Sequence, residues 1–187
     1  MKTKNFLLTG ALLIVALFSV NGVMAADPSN TDKVTVNIKF IPIQTIEVNG
    51  NEVEFLYDNI GKYQSGASDQ TKEKHLKINS SGPFVVSVIS TDFTGGPDDK
   101  TIPAADVAVL VSQPSTNPIT DYAAFTNTTL STSSQTLITS PTKGGMGLEF
   151  DVTYSNPGGA GGKYFAGYLE GTAVDYTATV TYTIAAQ

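Results

Sequence analysis

Over residues 174–184 apolar and polar positions alternate without a break. Val174, Tyr176, Ala178, Val180, Tyr182 and Ile184 fall on one face, and Asp175, Thr177, Thr179, Thr181 and Thr183 on the other. A period of two is that of a half-buried β-strand. Threonine on the wet face still favours β, because its branched Cβ restricts χ1. The same period runs through Val34, Val36, Ile38 and Phe40, which alternate with Lys33, Thr35, Asn37 and Lys39. Pro42 then ends that ladder or places it on an edge. A hairpin is predicted next, with Gln44–Val48 and Asn51–Tyr57 flanking Asn49-Gly50. That dipeptide accepts the positive φ angles of a type I′ turn, and Ile46 and Val48 would share a face with Val53 and Phe55.

Further strands are predicted at Lys74–Asn79, Phe84–Thr91, Asp106–Ser112, Thr136–Thr139, Leu148–Tyr154 and Lys163–Leu169. Residues 84–91 and 107–111 are nearly continuous apolar runs, as expected of central strands covered on both faces. The stretches between are dense in Gly, Pro, Asn, Ser and Thr, which is turn and loop chemistry. The longest, Gln113–Ser134, carries either a short helix near Asp121–Phe125 or an exposed loop. The Gly158–Gly162 run reads as a flexible hairpin loop, since no Lys-Ser/Thr and no helix pattern follow it. No window sustains a helical period. The expected fold is all-β, a single β-sandwich of about nine strands, immunoglobulin-like or Greek-key.

The first 25 residues follow another logic. Lys2 and Lys4 precede an apolar run from Phe6 to Val20, and Val23-Met24-Ala25 closes it with small residues. That order is a secretory signal peptide, and the run is shorter than the roughly 20 residues needed to span a bilayer. The expected organisation is a signal peptide at 1–25, a polar flexible segment at 26–32 and the sandwich at 33–187. The mature chain is expected to be secreted, in the periplasm, at the cell surface or outside the cell, with no integral membrane segment. The formal net charge is −6, and losing Lys2 and Lys4 makes it more negative. Every basic residue is Lys, with no Arg, a poor composition for nucleic acid or anionic lipid. The absence of Cys excludes disulfides, thiol catalysis and cysteine-held metals.

Candidate chemistry is sparse. His75 is the only histidine and sits among charges in Lys72-Glu73-Lys74-His75-Leu76-Lys77. It reads as a solvated strand residue, because a triad needs a positioned nucleophile and a third group and no nucleophile elbow occurs. Glu52/Glu54 and Glu149/Asp151 lie two apart on predicted strands, a spacing that glycoside hydrolysis could use and that an ordinary wet sheet face also shows. The expectation is no catalysis, no cofactor and no metal. Calcium at Asp92, Asp98 and Asp99, around Gly95-Gly96-Pro97, stays open, although the ordered spacing of a calcium loop is absent. Sugar binding usually employs Trp, which this chain lacks. Tyr57, Tyr63, Tyr122, Tyr164 and Tyr168 are the candidate substitutes.

The two ends together resemble bacterial surface sandwich proteins of the pilin type, in particular subunits of alternate chaperone–usher pili. The likeness rests on Lys33-Val34-Thr35-Val36-Asn37-Ile38, on Pro42 to Ile46-Glu47-Val48, and on Tyr176 to Ile184. It implies an alternating N-terminal strand donated to the next subunit, so Val34, Val36, Ile38 and Phe40 become the candidate assembly strand. The partners would be further copies of this chain or other surface subunits. The same segment could equally be an ordinary first strand of its own sheet. The closing strand is also similar to that of WxL cell-wall-binding domains, with Tyr182 where those carry Trp and no upstream Trp-x-Leu. A soluble glycan-binding module is the alternative function.

Overall fold

The computed structural model describes residues 31–113, 123–168 and 171–187. Residues 41–187 form one compact unit, and the chain up to Phe40 groups as another. In chain order the elements are β1 (Gln44–Val48), helix α1 (Ile60–Ser65), β2 (Gln70–Ser80), β3 (Phe84–Ser90), β4 (Ala108–Ser112), β5 (Ala124–Phe125), β6 (Thr128–Thr129), β7 (Gln135–Ser140), β8 (Gly145–Ser155) and β9 (Val180–Ala186). They form an all-β sandwich of two antiparallel sheets, ordered β1-β2-β8-β4-β6 and β5-β7-β3-β9.

The alternation seen in the sequence becomes the core. Leu76, Ile78, Leu148, Phe150 and Val152 come from one sheet, and Phe84, Val86, Val88, Leu137 and Ile138 from the other. All are at most 1% exposed. Full burial of such side chains is worth about 1.5–3 kcal/mol each, so a chain without disulfides can hold itself together by packing. The apolar run of β3 is central, with β7 on one side and β9 on the other, and β4 lies between β8 and β6. At Gly144 a Cβ would fall 2.0 Å from the Ser80 carbonyl oxygen, so only glycine lets the β7–β8 turn rest on the β2–β3 turn.

Four expectations are corrected. Asn51–Tyr57 is not the hairpin partner of β1: β1 pairs with β2, from Gln44↔Ser80 to Val48↔Leu76. Asn49 directs its backbone N–H to His75 O (2.7 Å) and its side-chain amide to Lys74 O (2.9 Å). Positive φ there is confined to Gly50, at +77°, so the chain turns a corner instead of folding back. Ile46, Val53 and Phe55 do pack on the core, whereas Val48 is left 48% exposed.

Lys163–Leu169 is not a strand; Leu169 lies outside the described residues, and 163–168 form turns that carry Tyr164 and Tyr168 into an aromatic cluster. The glycine run before it is no free loop. Gly161 and Gly162 donate to Gln64 O and Tyr63 O, at 2.8 and 2.7 Å, docking the run on α1. Finally, Val34–Phe40 forms no strand. It pairs with no strand of either sheet: β1 lies along β2 at 76–80, and β9 lies along β3.

The helix anticipated near Asp121–Phe125 falls partly outside the described residues, and Ala124–Phe125 are strand β5. Residues 1–25, the expected signal peptide, lie outside them too. Among the described residues no helix is long and apolar enough to cross a membrane.

Candidate functional site

β2 contains a bulge that organises its surroundings. Lys72 pairs with Val152 and Leu76 with Phe150, so four steps on β2 match two on β8. Lys74 takes φ +51°, which L side chains adopt only where neighbours hold them. Here Asp151 Oδ1 accepts the Lys74 N–H (2.7 Å), and Glu149 Oε2 receives its ammonium (2.8 Å). The Glu149/Asp151 carboxylates, candidates for acid–base work, are thus committed to holding the bulge. The bulge turns Lys74 outward and His75 inward. His75 is 3% exposed, which corrects its reading as a solvated residue. Its Nδ1 lies 2.6 Å from Asn49 O, and its Nε2 lies 3.0 Å from the Tyr154 hydroxyl. Tyr154 in turn bonds the Tyr182 hydroxyl on the opposite sheet.

Beyond the Asn49 corner the chain enters an open seam. Residues 51–57 keep a strand's alternation, with Val53, Phe55 and Tyr57 half-buried and Glu52, Glu54 and Leu56 exposed, yet they join neither sheet. On one side lies the outer edge of Gln70–Lys72, which pairs only with β8. A polar cleft of about 500 Å³, rimmed by Glu52, Glu54, Lys62, Gln70 and Lys72, lies between. On the other side runs Ala173–Thr177, upstream of β9. Its inner bonds go to Thr94, in both directions at 2.8–2.9 Å. A second cleft, of about 480 Å³, is walled by residues 52–57 and 173–177 and floored by Phe93, Ile102 and Tyr164. The bulge at residues 73–75 separates the stretch of β2 that pairs with β1, at 76–80, from the stretch at 70–72 that pairs only with β8.

The second cleft ends in tyrosines. Rings run in an unbroken row from Phe165 through Tyr63, Tyr57, Tyr164 and Tyr168 to Tyr176, with successive centroids 5.2–5.9 Å apart. Four of the five tyrosines named as sugar candidates therefore meet; Tyr122 lies outside the described residues. They meet tilted or edge to face and cover one another, Tyr164 being 5% exposed, so they form a small second core more than a flat open platform. Asp106 anchors it: its Oδ2 accepts from Tyr164 Oη (2.6 Å) and from Lys163 Nζ (2.5 Å). Burial, then the Asp106 carboxylate, pushes the Tyr164 hydroxyl well above its ordinary pKa. A Cβ on Gly159 would fall 1.8 Å from the Tyr57 hydroxyl, so the glycine run serves close approach. The Tyr57 hydroxyl is buried and forms no well-aligned hydrogen bond. Burial raises its pKa, and the Ala67 amide only partly offsets this.

The remaining candidates scatter. Asp92 Oδ1 caps the Ala104 N–H at 2.8 Å, while Asp98 and Asp99 are exposed at positive φ. Among the described residues no three His, Cys, Asp or Glu side chains converge as a metal site. Val34, Val36, Ile38 and Phe40 are 87%, 78%, 78% and 88% exposed. Sequence reasoning missed the buried His75 chain and the Asp106 anchor. The charged neighbours of His75 disguised it, and nothing in the sequence marks a two-residue bulge.

No known protein family matches the chain, and no curated protein is significantly similar to it.

Proposed function

We propose that this chain is an exported, non-catalytic structural or adhesive subunit of a bacterial-type cell surface that assembles by strand addition, with Val34–Phe40 as the added strand. The observation that carries the reading is the row of four large apolar side chains, at every second position, each more than three-quarters exposed. Each would gain about 1.5–3 kcal/mol on full burial, so the row is suited to a partner's pockets. Strand addition uses backbone bonds for affinity and alternate side chains for register.

The seam supports the other half of the reading. Its walls, residues 52–57 and 173–177, match such a segment in length and present backbone that joins no ladder with the facing wall. Lys33 and Lys39 lie on the polar face of the donor row, and Glu52, Glu54 and Asp175 rim the groove. Opposite charge favours one docking register.

The test uses the full chain and a peptide copying residues 33–41. Purified protein should form concentration-dependent oligomers in light scattering. Ile38→Asp should abolish them. A chain lacking residues 26–41 should stay folded and bind the peptide. A strictly monomeric full chain that binds no peptide sinks the reading.

Glycan binding is the second reading, favoured by the four tyrosines that meet at the groove. Glycan-array binding lost in Tyr168→Ala, with no oligomers, would put it first.

A further inference from the structure

His75 lies where the β1 corner and strands β8 and β9 meet, and it is the chain's only histidine. We propose that it is a proton-released clasp: neutral, it pins the Asn49 corner and ties the two sheets through Tyr154 and Tyr182; protonated, it frees residues 49–57.

The direction of the hydrogen bonds carries this. A carbonyl oxygen only accepts, so the 2.6 Å bond to Asn49 O places the neutral ring's proton on Nδ1. Nε2 then holds a lone pair and accepts the Tyr154 O–H. Tyr154's oxygen accepts in turn from Tyr182. The chain runs one way, Tyr182 to Tyr154 to His75 to Asn49, with every proton placed.

A second proton on Nε2 reverses it. The imidazolium must donate to Tyr154, whose own hydrogen must turn toward Tyr182. The Tyr182 hydrogen then needs a new acceptor, and that hydroxyl has no other partner among the described residues. A buried polar hydrogen without an acceptor costs about 1–3 kcal/mol, and the buried charge adds to it.

The groups facing the ring give the charge no relief. Tyr154 of β8 and Tyr182 of β9 are uncharged and held neutral by burial. Asn49 offers its carbonyl, and Lys72 of the same strand repels. The nearby carboxylates Glu149 and Asp151 are bound to Lys74 and do not contribute at the ring. Burial, then Lys72, lowers the imidazole pKa, and the Asn49 bond opposes them only in part.

The unfolded or opened state therefore takes up the proton first. The stability that neutral His75 supplies is complete above the ordinary histidine value of about 6.5. It falls as the pH drops below that value toward the folded pKa. The imidazolium keeps its Nδ1–H on Asn49 O, so the corner is released by the opening that brings water to the buried charged ring and not by loss of that bond; Asn49's other hydrogen bonds are those to Lys74 O and His75 O. That acid thereby opens the seam to an incoming strand rests on the assembly reading above; the clasp does not.

Hydrogen exchange on the full chain, read as protection factors from about pH 7.5 to about pH 5, tests it. Protection of residues 49–57 should fall by up to about tenfold per pH unit below about 6.5, while the amides of β3 hold. His75→Gln should flatten the profile. If that variant does not fold, the wild-type ring, titrated by NMR, replaces it. Its resonances should report the Nδ1–H form at neutral pH and a midpoint matching the low-pH end of the protection loss. A flat wild-type profile, an equal slope in His75→Gln, or a ring protonated on Nε2 overturns the clasp. Failure of the 33–41 peptide to bind at every pH removes only the assembly reading.

Discussion

Residues 34–40 and residues 180–186 share one pattern, large apolar side chains alternating with Thr, Lys or Asn, and meet opposite fates. In β9 the row Val180, Tyr182, Ile184 is half-buried against the core, and the backbone runs along β3 in an uninterrupted register from Phe84↔Ala186 to Ser90↔Val180. The row Val34, Val36, Ile38, Phe40 is exposed and forms no strand. The difference is not one of propensity. Alternation decides which face of a strand is dry; pairing with a neighbour makes it a strand. β9 pairs with β3 along seven residues, whereas residues 34–40 pair with no strand.

The comparison can be broken most directly by deletion. Removing residues 180–186 should strip β3 of one partner, expose Val86 and Val88, and abolish cooperative thermal unfolding. Removing residues 31–40 should leave the melting temperature within about 2 °C of wild type. Equal effects in circular-dichroism melts would mean that the two rows are not different after all.

Point substitutions sharpen it. Phe150→Ala empties a fully buried core site and should cost about 3–5 kcal/mol in urea unfolding. Phe40→Ala should stay within about 0.5 kcal/mol while reducing self-association. An intermediate effect sits in β9 itself. Tyr182→Phe keeps the ring but removes a hydroxyl that bonds Tyr154 across the sheets, for about 1–2 kcal/mol. It should also weaken the alkaline loss of stability. Burial raises the Tyr182 pKa, so its contribution is complete below about pH 10 and declines above it as the unfolded chain ionises first.

How much of this was legible follows from the same distinction. The strands near 74–80, 84–90, 108–112, 136–139 and 148–154 could be read because a half-buried or fully buried strand writes its period into the chain; of the strand expected over 174–184 only the part from Val180 forms, and 174–179 touch Thr94 through a single bridge at Thr177. The seam could not. Asn51–Tyr57 alternates as well as any strand, yet it follows the corner that Asn49 makes on β2 and pairs with neither sheet. His75 was hidden because two extra residues in β2 turn inward a position preceded by Lys72, Glu73 and Lys74. The tyrosines could be named individually, but their meeting depends on turns at 157–168, where Gly159 and Gly162 matter for close approach and backbone bonding rather than for pattern.

The strand registers described above also set a timetable. β2 pairs with a strand more than 60 residues downstream, and β3 takes its outer partner from residues 180–186. Pairings this distant in sequence make for slow folding, on the order of milliseconds to seconds. While β9 is missing, one side of β3 stands as a bare edge beside its apolar run. A chain emerging from its N-terminus therefore carries that edge open from the making of β3 until residues 180–186 arrive, and β9 is the strand that shuts it.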